Sequence, residues 1–283
     1  MRREHGAPRG RRGRVCHDAN LSKRLVFPDR DVELPLRGHR RQEAHRVVHL
    51  GHRRDPLHSL VYEVGGGLVG LSAHPPSPRS ELILASTSRY RIELMDRLGV
   101  TYRAVAHGCD ERAVEGAVPR EPATAHEGAR GYDERIALTL AMAKAESLAA
   151  AHPDAFVLGS DQVVSLDGKI FGKPGGHEGA RAQLARLSGR EHRIVTAVSL
   201  RAPDGVHRSH VDVHRMRMRT LTPDAIARYV ERDRPFDCAG SYRIEALGIA
   251  LFERIEGADH TAIMGLPLTA VVPLLIGVGF AIP

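Results

Sequence analysis

The chain has 283 residues, 42% of them hydrophobic, which is enough apolar content for one large core or two ordinary ones and excludes a wholly disordered protein. Its formal charge of +7 is unevenly placed: residues 1–80 hold 16 Lys and Arg against eight Asp and Glu, leaving 25 against 26 in the rest. Charge therefore gives no reason to assign nucleic-acid binding beyond residue 80, and three scattered cysteines, Cys16, Cys109 and Cys238, exclude a disulfide framework and fit a reducing cytoplasm.

Residues 1–80 are Arg- and His-rich and lack sustained helical or strand periodicity, so they read as an extension and not a domain. Two origins fit: a basic arm for nucleic acid or anionic surfaces, or translated upstream sequence from a misassigned start. The histidines His39, His45, His49 and His52 show no recognisable Cys/His metal-ligand spacing. Residues 81–283 form the expected folded domain. It opens with ELILASTSRYRIELMDRLGV: a strand over 82–85, a Ser/Thr turn, and a helix with Ile92, Leu94, Met95 and Leu98 on one side. A polar turn at a helix N-terminus, flanked by Arg89 and Arg91, suits an anion such as phosphate; a Ser-capped helix with solvated arginines is the simpler alternative.

A second strand is expected over 101–106, a loop over 114–122 and an Ala-rich helix over 134–151. Two short strands, 156–160 and 163–166, flank Asp161, and Asp167-Gly168 makes a turn. A helix over 178–187 precedes long strands over 192–200 and 211–219 around Asp204-Gly205. Thr222-Pro223-Asp224 opens another helix, and a last strand covers 249–256. Residues 263–283 carry no charge, yet Pro267, Pro273, Gly277 and Gly279 argue against a spanning helix, so 268–275 reads as a terminal core element. Mixed strands and helices in this order predict an α/β domain with a cleft between two lobes.

Four blocks, ASTSRYR followed by DE, GSDQVVSLDGKIFGKP, LSGREHRIVTAVSL and FDCAGSYRIEALGIALFERIEGADHTAIMGLPL, resemble in order and spacing the Maf family of nucleoside triphosphate pyrophosphatases. The resemblance covers residues 81 to about 275. It implies the fold shared with inosine triphosphate pyrophosphatases, an elongated mixed sheet with helices on both sides, and a cytoplasmic homodimer that takes a nucleotide substrate, with no membrane partner and no specific nucleic-acid partner.

The implied reaction cleaves between the α and β phosphorus, which needs an activated water, a divalent cation (Mg or Mn) and cations for the phosphates. By the same resemblance Asp161 is the proton acceptor, and Glu111 joins Asp161 in holding the metal. Ser86, Arg91, Lys144, Lys173 and Arg243 contact phosphate. Tyr90, Gln162 and Glu245 match the 7-methyl-GTP branch and not the dTTP/UTP branch: a carboxylate accepts both N1–H and N2–H₂ of guanine, and N7 methylation makes the ring cationic. Three departures stand out: Arg89 in place of the usual Pro, Arg243 in place of Lys, and no Asn before GLP. Alternatives are a dTTP/UTP pyrophosphatase, a noncatalytic nucleotide-binding division regulator, or a nucleic-acid binder acting through the basic arm.

Overall fold

In the computed structural model the described residues are 62–63, 81–121 and 130–283, all within one unit spanning His52–Pro283. Apart from Tyr62–Glu63, the expected extension over 1–80, with its histidines, lies outside them. The strands are β1 (Tyr62–Glu63), β2 (Leu82–Leu84), β3 (Arg103–Ala104), β4 (Phe156–Leu166), β5 (Lys169–Phe171), β6 (Glu191–Arg201), β7 (His207–Met218) and β8 (Phe252–Glu256). They form one mixed sheet in the order β1-β7-β6-β4-β2-β3, with β5 beside β4 and β8 beside β7. Only β2 pairs in parallel, with β3 and β4; the long β4, β6 and β7 run antiparallel.

Alternation sends successive β2 and β4 side chains to opposite faces. On one face Leu82, Leu84 and Leu158 pack with Leu94 and Met95 of α1 (Arg89–Asp96) and with Val271, Leu274 and Leu275 of a late helix, Leu268–Ile276. On the other, Ile83 and Val157 meet Ala145 and Leu148, at and just after the end of α3 (Tyr132–Glu146). Covered on both sides, β2 reads as a continuous apolar run. A separate core at the far end gathers Phe171, Leu184, Met216, Val230 and Tyr242. The sheet is thus elongated, with helices on both faces and a core toward each end. Among the described residues no helix is long and apolar enough to cross a membrane.

Four expectations change. The loop over 114–122 begins as a helix, α2 (Glu111–Ala117), because Asp110 accepts from the Ala113 N–H at 3.1 Å and caps it. The two strands around Asp161 are one, β4, since β6 pairs with it without a break from Val157 to Ser165. The strand expected from 249 starts at Phe252, after a 3₁₀ turn over Leu247–Leu251. The strand over 101–106 shrinks to two residues. The Asp167-Gly168 turn holds as read: both residues have positive φ, 51° and 70°, as a two-residue hairpin between β4 and β5 requires.

One buried group sets an acid limit on stability. His192 is 1% exposed, its Nε2 lies 2.8 Å from the Tyr242 hydroxyl, and burial pulls its pKa down to about 4. Near neutrality the ring is uncharged whether the chain is folded or not. As pH falls below 6.5 the unfolded chain takes up a proton that the folded one refuses, so stability drops until about pH 4. At pH 5 the loss from this residue is about 2 kcal/mol. Urea unfolding of His192→Gln at pH 7.5 and pH 5 is expected to lose less stability across the interval than the wild type, by about that amount; equal losses would contradict the assignment.

Candidate functional site

β4 offers a gap in the sheet. On one side it pairs with β2 from Phe156 to Leu158 and with β5 from Val164 to Leu166, so residues 159–163 have β6 as their only ladder partner. The gap opens at the C-terminal end of the parallel strand β2, where α/β sheets place their ligands. Asp161 and Gln162 sit in this gap on opposite faces, one toward α3 and the other toward the segment 262–265.

On the α3 face Lys144 is 4% exposed and Asp161 6%. The Lys144 Nζ donates to Asp161 Oδ1 at 2.6 Å and lies 2.9 Å from Glu111 Oε1. An ammonium and a carboxylate are buried together here because each satisfies the other. The half-exposed Glu111 comes from the first turn of α2, and His107 Nε2 approaches the same oxygen at 3.3 Å. Burial raises the Glu111 pKa, but the Lys144 hydrogen bond and charge outweigh it and the net shift is downward. Burial, then Lys144, lowers the His107 pKa.

Arg91, on α1, joins this group to the other face. Its Nε donates to the Gly265 carbonyl at 3.0 Å and its Nη1 reaches Ser86 Oγ at 3.5 Å, while Asp161 and Glu111 both act on its charge. Ser160 Oγ also donates to Gly265 O, at 2.8 Å, so one carbonyl fixes β4 and α1 together. Gly265 has φ +110°, a conformation open to glycine, and a Cβ there would come within 3.3 Å of Arg91 Nε. Gln162 Nε2 lies within 2.9 Å of Thr196 Oγ1 and the Ala262 and Ile263 carbonyls, which commits its amide hydrogens to holding that segment.

A cleft of about 490 Å³ runs from Arg91, Gln162 and Lys173 to Tyr90, Asp237 and Glu245. Arg89 lies 4.6 Å from the centre of the Tyr90 ring and donates to its hydroxyl at 2.8 Å. Cys238 lines the same cleft, its thiol pushed up to about 12 by burial, then Asp237 and Glu245, which makes it a poor nucleophile at neutral pH. A second cleft, of about 480 Å³, lies at the hairpin ends among Asp133, Arg193 and Arg215, away from this chemistry.

The structure therefore brings Glu111, Lys144 and Asp161 into contact, with Arg91 and Ser86 beside them, and places Tyr90, Gln162, Lys173 and Glu245 along the adjoining cleft. Arg243 is apart: its Nη2 donates to Asp233 at 2.7 Å, and its backbone N–H donates to the Tyr229 hydroxyl. Asp233 raises the Arg243 pKa, and the Tyr90 hydroxyl lies within its electrostatic reach, so the residue is set to steady the aromatic wall. His107, Ser160, Thr196 and Asp237 were not anticipated. Strand alternation around Asp161 could have flagged Ser160; the only sequence signal for His107 is its place four positions before Glu111.

Among the described residues no three His, Cys, Asp or Glu side chains are arranged to hold a metal ion. Glu111 and Asp161 nevertheless converge on a single cation, the Lys144 ammonium. Two carboxylates completed by substrate phosphates is the donor set that Mg²⁺ accepts.

Comparison with known proteins agrees in extent with these blocks. The family model described as Maf-like protein matches residues 81–278. A 7-methyl-GTP pyrophosphatase from Xanthomonas campestris pv. campestris is 45% identical over 202 residues, covering 71% of this chain and 98% of that protein. One from Bordetella pertussis is 44% identical over 201 residues, covering 71% and 93%. Among solved structures, a nucleoside-triphosphatase or dITP/XTP pyrophosphatase from Mycobacterium abscessus aligns with 16% identity over 54% of this chain and 94% of that one, at a TM-score of 0.31 that adds nothing to the fold description. The family match and these relatives place the chain in the Maf-like family.

Proposed function

We propose that this protein is a nucleoside triphosphate pyrophosphatase that hydrolyses the α-β phosphoanhydride, with 7-methyl-GTP as substrate and 7-methyl-GMP and pyrophosphate as products. The observation that carries the reaction is the buried Asp161 carboxylate, held at 2.6 Å by Lys144 in the open gap of β4 and flanked by Arg91. The substrate rests on relatives named for it at 45% and 44% identity across nearly their whole length, and on Glu245 and Tyr90 in the cleft.

In this reading Asp161 takes the proton of the attacking water. Lys144 fixes which carboxylate oxygen is free to do so, since its ammonium already holds Oδ1. Arg91 and Lys173 hold the phosphates, with Arg91 aimed by Gly265 and Ser86. Glu111 and Asp161 would hold a divalent cation, Mg or Mn, which neutralises charge on the phosphates when bound. Tyr90 stacks on the base and Glu245 accepts its Watson–Crick edge; Gln162 acts by holding residues 262 and 263 against the cleft. A cytoplasmic homodimer belongs to the same reading, and size-exclusion chromatography with light scattering checks the dimer.

The deciding assay is pyrophosphate release by the full chain with Mg²⁺ or Mn²⁺ across 7-methyl-GTP, GTP, dTTP and UTP. Expected are a preference for 7-methyl-GTP of at least tenfold in kcat/KM, or about 1.4 kcal/mol of transition-state discrimination, and loss of turnover in EDTA. Preference for dTTP or UTP would keep the reaction and overturn the base assignment. No turnover of any nucleotide would favour the noncatalytic regulator.

A further inference from the structure

The cleft is electrically lopsided. At the end nearest Asp161 its cations are Arg91 and Lys173, both within reach of Glu111. At the far end two exposed carboxylates, Asp237 and Glu245, act together on the Cys238 thiol that lies between them in the chain, and Cys238 Sγ donates to Asp237 Oδ1 at 3.5 Å. Among the described residues neither carboxylate has an ion-pair partner. Arg243 also reaches Cys238, but its charge is already matched by Asp233 at 2.7 Å. Arg89, over the Tyr90 ring, also lines the cleft, so two carboxylates there face one exposed guanidinium and the far end stays net negative; a cation bound there relieves the surplus.

A ligand suited to such a cleft is a polyanion at one end and a cation at the other. Resting on the pyrophosphatase reading above, we propose that Asp237 is a specificity-determining residue which, with Glu245, selects nucleoside triphosphates whose base carries a positive charge, and that the charge rather than the methyl group is what the cleft reads. The substrate class is then N7-alkylated purine nucleotides in general. Glu245 accepts the base-edge hydrogens; Asp237, without a base-edge partner assigned to it, contributes field.

The test separates charge from shape. 7-Methyl-7-deaza-GTP has the methyl group in the same place on a neutral ring, so kcat/KM is compared for 7-methyl-GTP, 7-ethyl-GTP and this analogue, in the wild type and in Asp237→Asn. Expected in the wild type is turnover of both cationic nucleotides well above that of the neutral analogue. In Asp237→Asn the ratio of 7-methyl-GTP to the neutral analogue falls roughly fivefold, through KM, the scale of one exposed charge pair. Raising salt shrinks the wild-type ratio and moves that of the variant less. Glu253→Gln, an exposed acid outside the cleft, keeps the wild-type ratio. Equal losses on charged and neutral nucleotides would mean that Asp237 is structural, and an unchanged ratio would mean that it is idle; either overturns the proposal while 7-methyl-GTP is still hydrolysed. Failure of the wild type to hydrolyse 7-methyl-GTP at all would instead overturn the reading beneath it.

Discussion

Asp161→Asn is expected to lower kcat for pyrophosphate release about 10³-fold while the protein stays folded, the scale of losing a positioned general base. The asparagine keeps the shape and an oxygen that can accept from Lys144 Nζ, so the 2.6 Å contact survives as a neutral-acceptor hydrogen bond. What goes is the acceptor for the water's proton. The ammonium is 4% exposed and retains Glu111 at 2.9 Å, so the stability lost is that of a weakened buried pair, about 1–3 kcal/mol, and not of an orphaned charge. Stopped assays over hours, with circular dichroism to confirm folding, check both parts. A variant within tenfold of the wild type would remove Asp161 from the chemistry, and Glu111 would then be the base to test.

Much of this arrangement was legible because it rests on local physics. The apolar run over 82–85 announced a strand, Asp167-Gly168 announced a turn, and Thr222-Pro223 announced a helix start, where Thr222 does accept from Ala225 N–H. The break expected in β4 had a different origin. Asp161 and Gln162 looked like an interruption of apolar strand, because a buried polar side chain is costly unless partnered, and the partners are distant in the chain. Lys144 lies 17 positions away from Asp161, and the carbonyls that bind Gln162 lie about 100 positions away. Sequence spacing carries no trace of such pairings. α2 was missed for a related reason: none of its residues is buried, so it has no apolar stripe, and the Asp110 cap is its main local signal. The family resemblance implied residue roles that periodicity could not give, while the open gap between β2 and β5 explains physically why those residues share one place.

Gly159 is the position where fold and site are most tightly bound together. It lies on β4 two residues before Asp161 and therefore faces α3 as Asp161 does. A Cβ there would sit 2.1 Å from the Ala141 carbonyl oxygen and 2.9 Å from the Ala145 amide nitrogen, backbone atoms of the helix that carries Lys144. No rotamer change can clear backbone, so α3 has to move away from the strand. Gly159→Ala is expected to cost about 3 kcal/mol, the upper part of the range for overpacking, read as a lower urea midpoint with an unchanged slope. The folded fraction is expected to turn over substrate about 10²-fold more slowly, because displacing α3 draws Lys144 away from Asp161, and misplacements near 1 Å have that effect. Gly168 is the control. Its φ is +70° with no atom within 4 Å of an added Cβ, so Gly168→Asn, a residue tolerated in the left-handed region, should leave turnover at the wild-type level. If Gly159→Ala unfolds at the wild-type midpoint and keeps full turnover, then close approach of α3 to β4 is not what sets the Lys144–Asp161 contact, and the pair must be held from the Glu111 side instead.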